Sequence, residues 1–362
     1  MNGWLLQCLL AFGLALVISL YTTPLMRTAA LRFGIVDRPD GRLKKQAEPV
    51  PYLGGLAIYL SFLLALTATR RFDSTEVLGM LLAGAIAVIL GLIDDLGVLS
   101  PGIKLAGQVV AVLALINASV YIKLGFLPPP LAIILSFLWL LGIINAFNLI
   151  DVMDGLAAGV AAAASFILFL IAAVNGRQVD AILLAALCGA LVGFLRYNVQ
   201  PARIYMGDTG SMFIGLMLGA LAMNNSYTRQ NLVASVAPVV ILGVPIFDML
   251  FVMYVRFRRG LPVFLGSPDH FALRLRKWRL TTRQTVTASW AATVALGGLA
   301  IAMMLSEAPI ALAILAVGTS KSAWGTIPLP LGLRSFGLPG CALFASPDLI
   351  QLKESVLLDN TP

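Results

Sequence analysis

Charge is scarce in this chain. Of its 362 residues only 12% are Asp, Glu, Lys or Arg, and His270 is the single histidine. Cysteine is nearly as rare. Cys8, Cys188 and Cys341 have neither disulfide nor metal-ligand spacing, which excludes a disulfide framework and a Cys/His zinc centre. No stretch of ordinary soluble polarity interrupts the sequence, and no internal repeat is visible. No positively charged segment or small-residue cleavage site frames the first apolar run as a signal peptide, so that run is expected to be retained.

Apolar residues take the place of charge. They make up 59% of the chain, with a mean hydropathy of +0.93, far more than a soluble core of this size needs. Runs of membrane-crossing length recur near 4–21, 53–69, 76–93, 105–121, 130–147, 157–174, 180–195, 211–223, 232–254, 285–304 and, in a shorter form, 308–319. The expectation is an all-α polytopic integral membrane protein with about 10–11 transmembrane helices, forming one domain over 1–319. From 320 to 362 the chain is rich in Pro, Gly and Ser without a helical period. Two readings of that stretch stand open, a mobile cytoplasmic tail or an altered reading frame.

The charges that exist are unevenly placed. The loop after the first run holds Arg27, Arg32, Arg38, Arg42, Lys44 and Lys45. The loop after the ninth holds Arg256, Arg258, Arg259, Arg274, Arg276, Lys277, Arg279 and Arg283. Alternate loops carry only Arg70 and Arg71, Lys123, Arg177 or Arg229. The rich loops are expected to face the cytoplasm, with the N-terminus outside and the protein in the inner (plasma) membrane. This bias accounts for most of the net charge of +8, leaving contacts with anionic membrane lipid or phosphate, not nucleic acid, as its other use.

Against this background, acidic residues and carboxamides gather at the ends of apolar runs on that one side. Asn145, Asn148, Asp151 and Asp154 recur every three residues in N-A-F-N-L-I-D-V-M-D-G, a spacing that one helical face could carry. Such a face at membrane depth is costly unless it binds a cation, a phosphate or another polar ligand. Asp94 and Asp95 end the third run, Lys104 opens the fourth, Asp208 precedes the eighth, and His270 lies in the long basic loop. Adjacent carboxylates repel, so Asp94-Asp95 calls for a cation or a raised pKa. Hard oxygen ligands without a Cys/His cluster suit Mg²⁺, with Mn²⁺ as substitute. Magnesium held by one or two protein ligands completes its shell with substrate phosphate oxygens. With Lys104 and the basic loop added, the set reads as a diphosphate site for phosphoryl transfer, with the active site on the cytoplasmic face.

Five segments in order strengthen this reading: V-D-R-P-D-G-R with P-V-P-Y-L-G-G, I-D-D-L with S-P and K-L, N-A-F-N-L-I-D-V-M-D-G-L-A, M-G-D-T-G-S, and D-H-F-A-L-R-L. From about residue 36 to 280 the chain resembles the polyprenyl-phosphate N-acetylhexosamine-1-phosphate transferases. That family includes the phospho-MurNAc-pentapeptide translocase. The resemblance implies transfer of a sugar 1-phosphate, GlcNAc-1-phosphate foremost, from a UDP-N-acetylhexosamine to polyprenyl (undecaprenyl) phosphate. UMP would be released, Mg²⁺ used, and lipid-linked glycan synthesis started. It implies Asn148 and Asp208 as metal ligands, and Asp94 and Asp95 beside the lipid phosphate with one of them deprotonating it. Asp151 would shape the carboxylate cluster, and Lys104 would neutralise diphosphate charge. Asp154 would bond uracil and Tyr205 would stack on it, with Asn145 on the same polar face. His270 and Arg274 would face the sugar phosphate. A homodimer is compatible with this reading.

Departures are visible too. Gln46 stands where many members have histidine, and His270 is alone where many have two or three, which argues against the pentapeptide substrate. Val98 removes the third acid of a D-D-x-x-D pattern, and Asp154-Gly155 lacks the following Arg of the CDP-alcohol phosphotransferases. The reading from another class is a transporter of a nucleotide or phosphorylated solute. It would favour midplane polar sites and internal repeats, which the sequence does not offer. A family member that has lost catalysis is the third.

Overall fold

The computed structural model describes residues 3–37, 49–69, 74–97, 99–262, 269–277 and 279–319. Arg38, Arg42, Lys44, Lys45, Gln46, Arg70, Arg71, Val98, Cys341 and the whole of 320–362 lie outside the described residues.

The molecule is an all-α polytopic membrane protein. Its helices are α1 Gly3–Phe33, α2 Gly54–Thr67, α3 Thr75–Asp95, α4 Pro101–Asn117, α5 Pro129–Ile150, α6 Leu156–Val174, α7 Gln178–Asn198, α8 Gly207–Asn224, α9 Ala237–Ile241, α10 Gly243–Arg258, α11 Phe271–Lys277, α12 Thr282–Leu305 and α13 Ala308–Thr319. A two-residue antiparallel pairing, β1 Val36–Asp37 with β2 Val50–Pro51, joins the chain just after α1 to the chain just before α2. Local sequence sets several boundaries. Ser74 and Ser100 accept N-cap bonds from Val77 and Ile103, Pro101 opens α4, and Thr281 with Gln284 forms a capping box at α12.

Helix α8 is the axis of the bundle. Its residues from Thr209 to Met223 are all buried, as expected of a helix apolar on every side. It packs against α3, α5 and α2, while α7 packs against α1, α6 and α2, and α10 packs on α5. Trp139 on α5 donates its indole N–H to the Gly219 carbonyl of α8 at 3.0 Å, tying two of these helices through a partly buried polar contact.

Among the described residues six helices, α1, α3, α5, α6, α7 and α12, are long and apolar enough to cross a bilayer, or seven spans if one bent pair counts as one. The expectation of 10–11 also counted α2, α4, α8 and α13, whose lengths are 14, 17, 18 and 12 residues. The expected span 232–254 is not a continuous helix. Leu232–Ile241 and Gly243–Arg258 meet at 73°. Pro238 sits in the first turn of α9 and Pro245 in the first turn of α10, so each lacks an N–H that an unbroken helix would have used. Helix α1 runs past its expected end at 21 to Phe33, so Arg27 and Arg32 lie on it, not in a loop.

Candidate active site

The N-terminus of α8 is built around Asp95. Its carboxylate accepts from the backbone N–H of Asp208 at 2.7 Å, the N–H of Thr209 at 3.1 Å and the Thr209 hydroxyl at 2.6 Å. A carboxylate so placed satisfies orphan donors and complements the positive end of the helix. Gly207 makes this possible. Its φ is +68°, and a Cβ there would collide with the Asp95 carboxylate. Gly91 of α3 likewise lies directly against the Thr209 backbone, with no room for a side chain between the two helices.

Held in this way, Asp208 projects toward α4 and α5. The Lys104 ammonium lies 2.5 Å from Asp208 Oδ2, 2.7 Å from Asp94 Oδ2 and 3.2 Å from Asn148 Oδ1. Asn148 also donates to Asp208 Oδ1 at 2.6 Å and to the Ser211 hydroxyl at 3.0 Å. Four helices thus contribute to one half-buried knot of two carboxylates, a carboxamide and an ammonium. Asp94 and Asp95, adjacent in sequence, face different partners: Asp94 faces Lys104, whereas Asp95 is consumed by the α8 terminus.

The expected single face from Asn145 to Asp154 is not what forms. Helix α5 ends at Ile150, and Asp151 is its C-cap with ψ of +58°. Gly155, at φ +76°, then starts α6 after a turn. Only Asn145 and Asn148 share a helix. Asn145 donates to Gln108 Oε1 at 3.0 Å and to the Leu141 carbonyl at 2.8 Å, one turn below the knot. Asp154 accepts from Ala202 N–H at 2.9 Å, which commits one carboxylate oxygen to the chain and leaves the other for a ligand. Burial pushes Asp151 up to about 8, and the nearby carboxylates of Asp208, Asp95 and Asp154 add to the effect.

Beside that turn the rings of Tyr205 and Tyr52 are 6.2 Å apart, inclined at 50°. Burial raises the Tyr205 hydroxyl to about 12, with Asp154, Asp37 and Asp151 contributing. Tyr52 is raised further by burial and by its hydrogen bond to Asp37. His270 and Arg274 form a separate set. His270 Nδ1 pairs with Asp248 at 2.7 Å, while Arg274 pairs with Asp269 at 3.3 Å and stacks 4.9 Å over Phe251.

Among the described residues no three His, Cys, Asp or Glu side chains converge as a closed metal cage. The oxygens of Asp208 and Asn148, which here accept from Lys104 and, for Asp208, from the Asn148 amide, are of the hard type that could serve a cation held by one or two protein ligands and finished by phosphate.

The chain is 32% identical over 292 residues to the "Probable undecaprenyl-phosphate N-acetylglucosaminyl 1-phosphate transferase" of Bacillus subtilis (strain 168), covering 78% of this chain and 81% of the relative. The model of glycosyl transferase family 4 matches residues 77–226. The chain belongs to glycosyl transferase family 4. Other relatives include the "Decaprenyl-phosphate N-acetylglucosaminephosphotransferase" of Mycolicibacterium smegmatis, 33% identical over 72% of this chain and 73% of its own length. The "Phospho-N-acetylmuramoyl-pentapeptide-transferase" of Halalkalibacterium halodurans is 33% identical over 76% of this chain and 90% of its own length. The family 4 match spans α3 through α8, so it encloses the whole knot of Asp94, Asp95, Lys104, Asn148 and Asp208 together with Asp151 and Asp154. His270, Arg274 and Asp248 fall outside it.

Sequence reasoning passed over Asp37, Tyr52, Gln108 and Asp248. Asp37 and Tyr52 stand in two of the quoted segments, so a signal was present there. Gln108 lies four residues after Lys104 on one helical face, a spacing that pointed to it. Asp248 is an isolated acid inside an apolar run, and a charge at membrane depth is itself a cue to function.

Proposed function

We propose that this family 4 protein transfers a sugar 1-phosphate, GlcNAc-1-phosphate foremost, from a UDP-N-acetylhexosamine to polyprenyl phosphate. The reaction takes place at the cytoplasmic face of the plasma membrane. The observation that carries the reading is the Lys104 ammonium set among Asp208, Asp94 and Asn148, at distances of 2.5, 2.7 and 3.2 Å. An ammonium on carboxylates at a helix N-terminus can exchange those partners for phosphate oxygens as substrates enter.

An oxygen of the lipid phosphate attacks the sugar-bearing phosphorus of the nucleotide sugar. One P–O bond forms, the bond to the bridging oxygen breaks, and UMP leaves. Where the lipid phosphate arrives with a proton, Asp94 takes it, since the Asp95 oxygens are committed to three donors of α8. Lys104 neutralises charge on the diphosphate. Asp208 and Asn148 would hold Mg²⁺, or Mn²⁺ in its place, which supplies further neutralisation of the phosphate oxygens. Tyr205 and the uncommitted oxygen of Asp154 meet the uracil. Direct attack is favoured over a covalent phospho-aspartate, because a bound, oriented lipid dianion needs no relay.

The test is UMP release from membranes given a panel of UDP-sugars, with and without polyprenyl phosphate. Release with UDP-GlcNAc that depends on the acceptor is the expected result. No release from any UDP-sugar in the presence of acceptor overturns the reading, and stoichiometric release without acceptor overturns direct attack. In the same assay Asp208→Asn should lose turnover by at least two orders of magnitude while the protein still inserts, since metal-mediated stabilisation amounts to several kcal/mol. Near-normal release by that variant would remove Asp208 as a metal ligand.

A further inference from the structure

Asp248 lies on α10 with only 3% of its surface exposed, and His270 is as deeply buried, also at 3%. One carboxylate oxygen is 2.7 Å from His270 Nδ1, and the other accepts the backbone N–H of Phe271 at 2.7 Å. A carboxylate oxygen acts here as acceptor, so in this pairing Nδ1 is the donor. Among the described residues, the other ring nitrogen, Nε2, bonds no protein group.

A purely structural role explains this arrangement poorly. The short helix α11 is already fastened to α10 by aromatic packing, with Phe271 edge-on to Phe247 at 5.3 Å and to Phe251 at 6.2 Å. A buried carboxylate–imidazole pair adds little docking that apolar side chains could not supply, and it costs desolvation. What apolar packing cannot supply is a fixed imidazole with one defined free nitrogen. We propose that Asp248 is a positioning residue acting through His270, locking Nδ1 so that Nε2 alone is presented to the nucleotide sugar. This rests on the transferase reading above and adds a residue to it.

His270 is the only histidine in the chain, so its ring nitrogens can be observed without assignment. The experiment uses the full chain in lipid nanodiscs, labelled with ¹⁵N-histidine, as wild type, Asp248→Asn, His270→Gln and the double variant. Asparagine keeps an oxygen for the Phe271 N–H but turns an NH₂ donor toward Nδ1. The ring proton must then move to Nε2. Wild type should show a protonated Nδ1 and an Nε2 resonance that moves when UDP-GlcNAc is added. Asp248→Asn should show the proton displaced from Nδ1 and transfer reduced by about tenfold or more, as for partners that orient a functional histidine. The double variant should be no worse than His270→Gln alone, because the two residues act as a unit.

An Nδ1 proton unaltered by Asp248→Asn, wild-type transfer despite its displacement, or a double defect equal to the product of the single ones would each overturn the proposal. If Asp248→Asn does not fold, Asp248→Glu decides. A retained Nδ1 proton with most of the transfer supports the proposal, and a displaced proton with unchanged transfer refutes it. Failure of wild type to release UMP from any UDP-sugar would sink the transferase reading instead. The Nδ1 signal and the response of Nε2 to UDP-GlcNAc report on Asp248 independently of turnover.

Discussion

Asp94 and Asp95 differ by one position and by almost everything around them. Asp95 satisfies three donors at the start of α8, whereas Asp94 meets the Lys104 ammonium at 2.7 Å. Their loss should therefore separate folding from chemistry. Asp95→Ala removes a helix cap, a change that costs about 0.5–2 kcal/mol, and should lower the thermal transition of the purified protein. Asp94→Ala should leave that transition nearly in place and bind UDP-sugar, yet lose transfer. A phosphate monoester has a second pKa near 6, so a missing proton acceptor matters most below it. The Asp94→Ala defect should accordingly be deeper at about pH 5.5 than at about pH 8. Equal melting behaviour of the two variants, or a defect indifferent to pH, would undo this division of roles.

At the scale of elements, the turn from Asp151 to Gly155 decides which polar groups meet. The three-residue recurrence of Asn145, Asn148, Asp151 and Asp154 was legible in sequence, and so was nearly every helix, because apolar length alone announces a span. The end of α5 was not legible. Ile150 and Asp151 carry no Pro or Gly, and the break is imposed by Gly155 in the left-handed region and by Asn198, whose side chain accepts the Gly155 N–H at 3.0 Å from 43 residues away. Such a partner is invisible to periodicity, as is the Asp248 contact with His270 across 22 residues. The bend at Leu242 had a local cue in Pro238, Gly243 and Pro245 that the apolar run concealed. The turn also makes a pH prediction. Burial raises Asp151 from its ordinary 3.8 to about 8, so between those values the native protein holds a proton that the unfolded chain has released. The stability from this group is complete below the lower value and is lost as pH rises through the upper one. Asp151→Asn cannot ionise, so its thermal transition should fall less between about pH 6 and pH 9 than that of wild type. Parallel curves would show that Asp151 does not ionise across this window.

Over the whole molecule, charge and chemistry are arranged along one axis. Asp95 closes α3 at the site, while Glu76 in its first turn pairs with Lys123 at 2.9 Å. With 21 residues, α3 separates these points by about 31 Å at 1.5 Å per residue, which is the thickness of a bilayer core. Arg27 and Arg203 belong to the site's end. The Arg27 side chain donates to the Arg203 carbonyl at 3.1 Å, on the loop that carries Tyr205. On the proposed function, a cytoplasmic basic end would let nucleotide sugar reach the knot from inside the cell while the acceptor's phosphate arrives along the membrane. A cysteine placed at Arg203 should then resist a membrane-impermeant maleimide in intact cells and react once the membrane is opened. A cysteine at Lys123 should react in both. The native Cys8 and Cys188 are buried, and Cys341 is replaced by serine, so the added thiol dominates the signal. Labelling of Arg203→Cys in sealed cells would invert the orientation and place the Lys104 knot on the outer face, where no cytoplasmic nucleotide sugar could reach it.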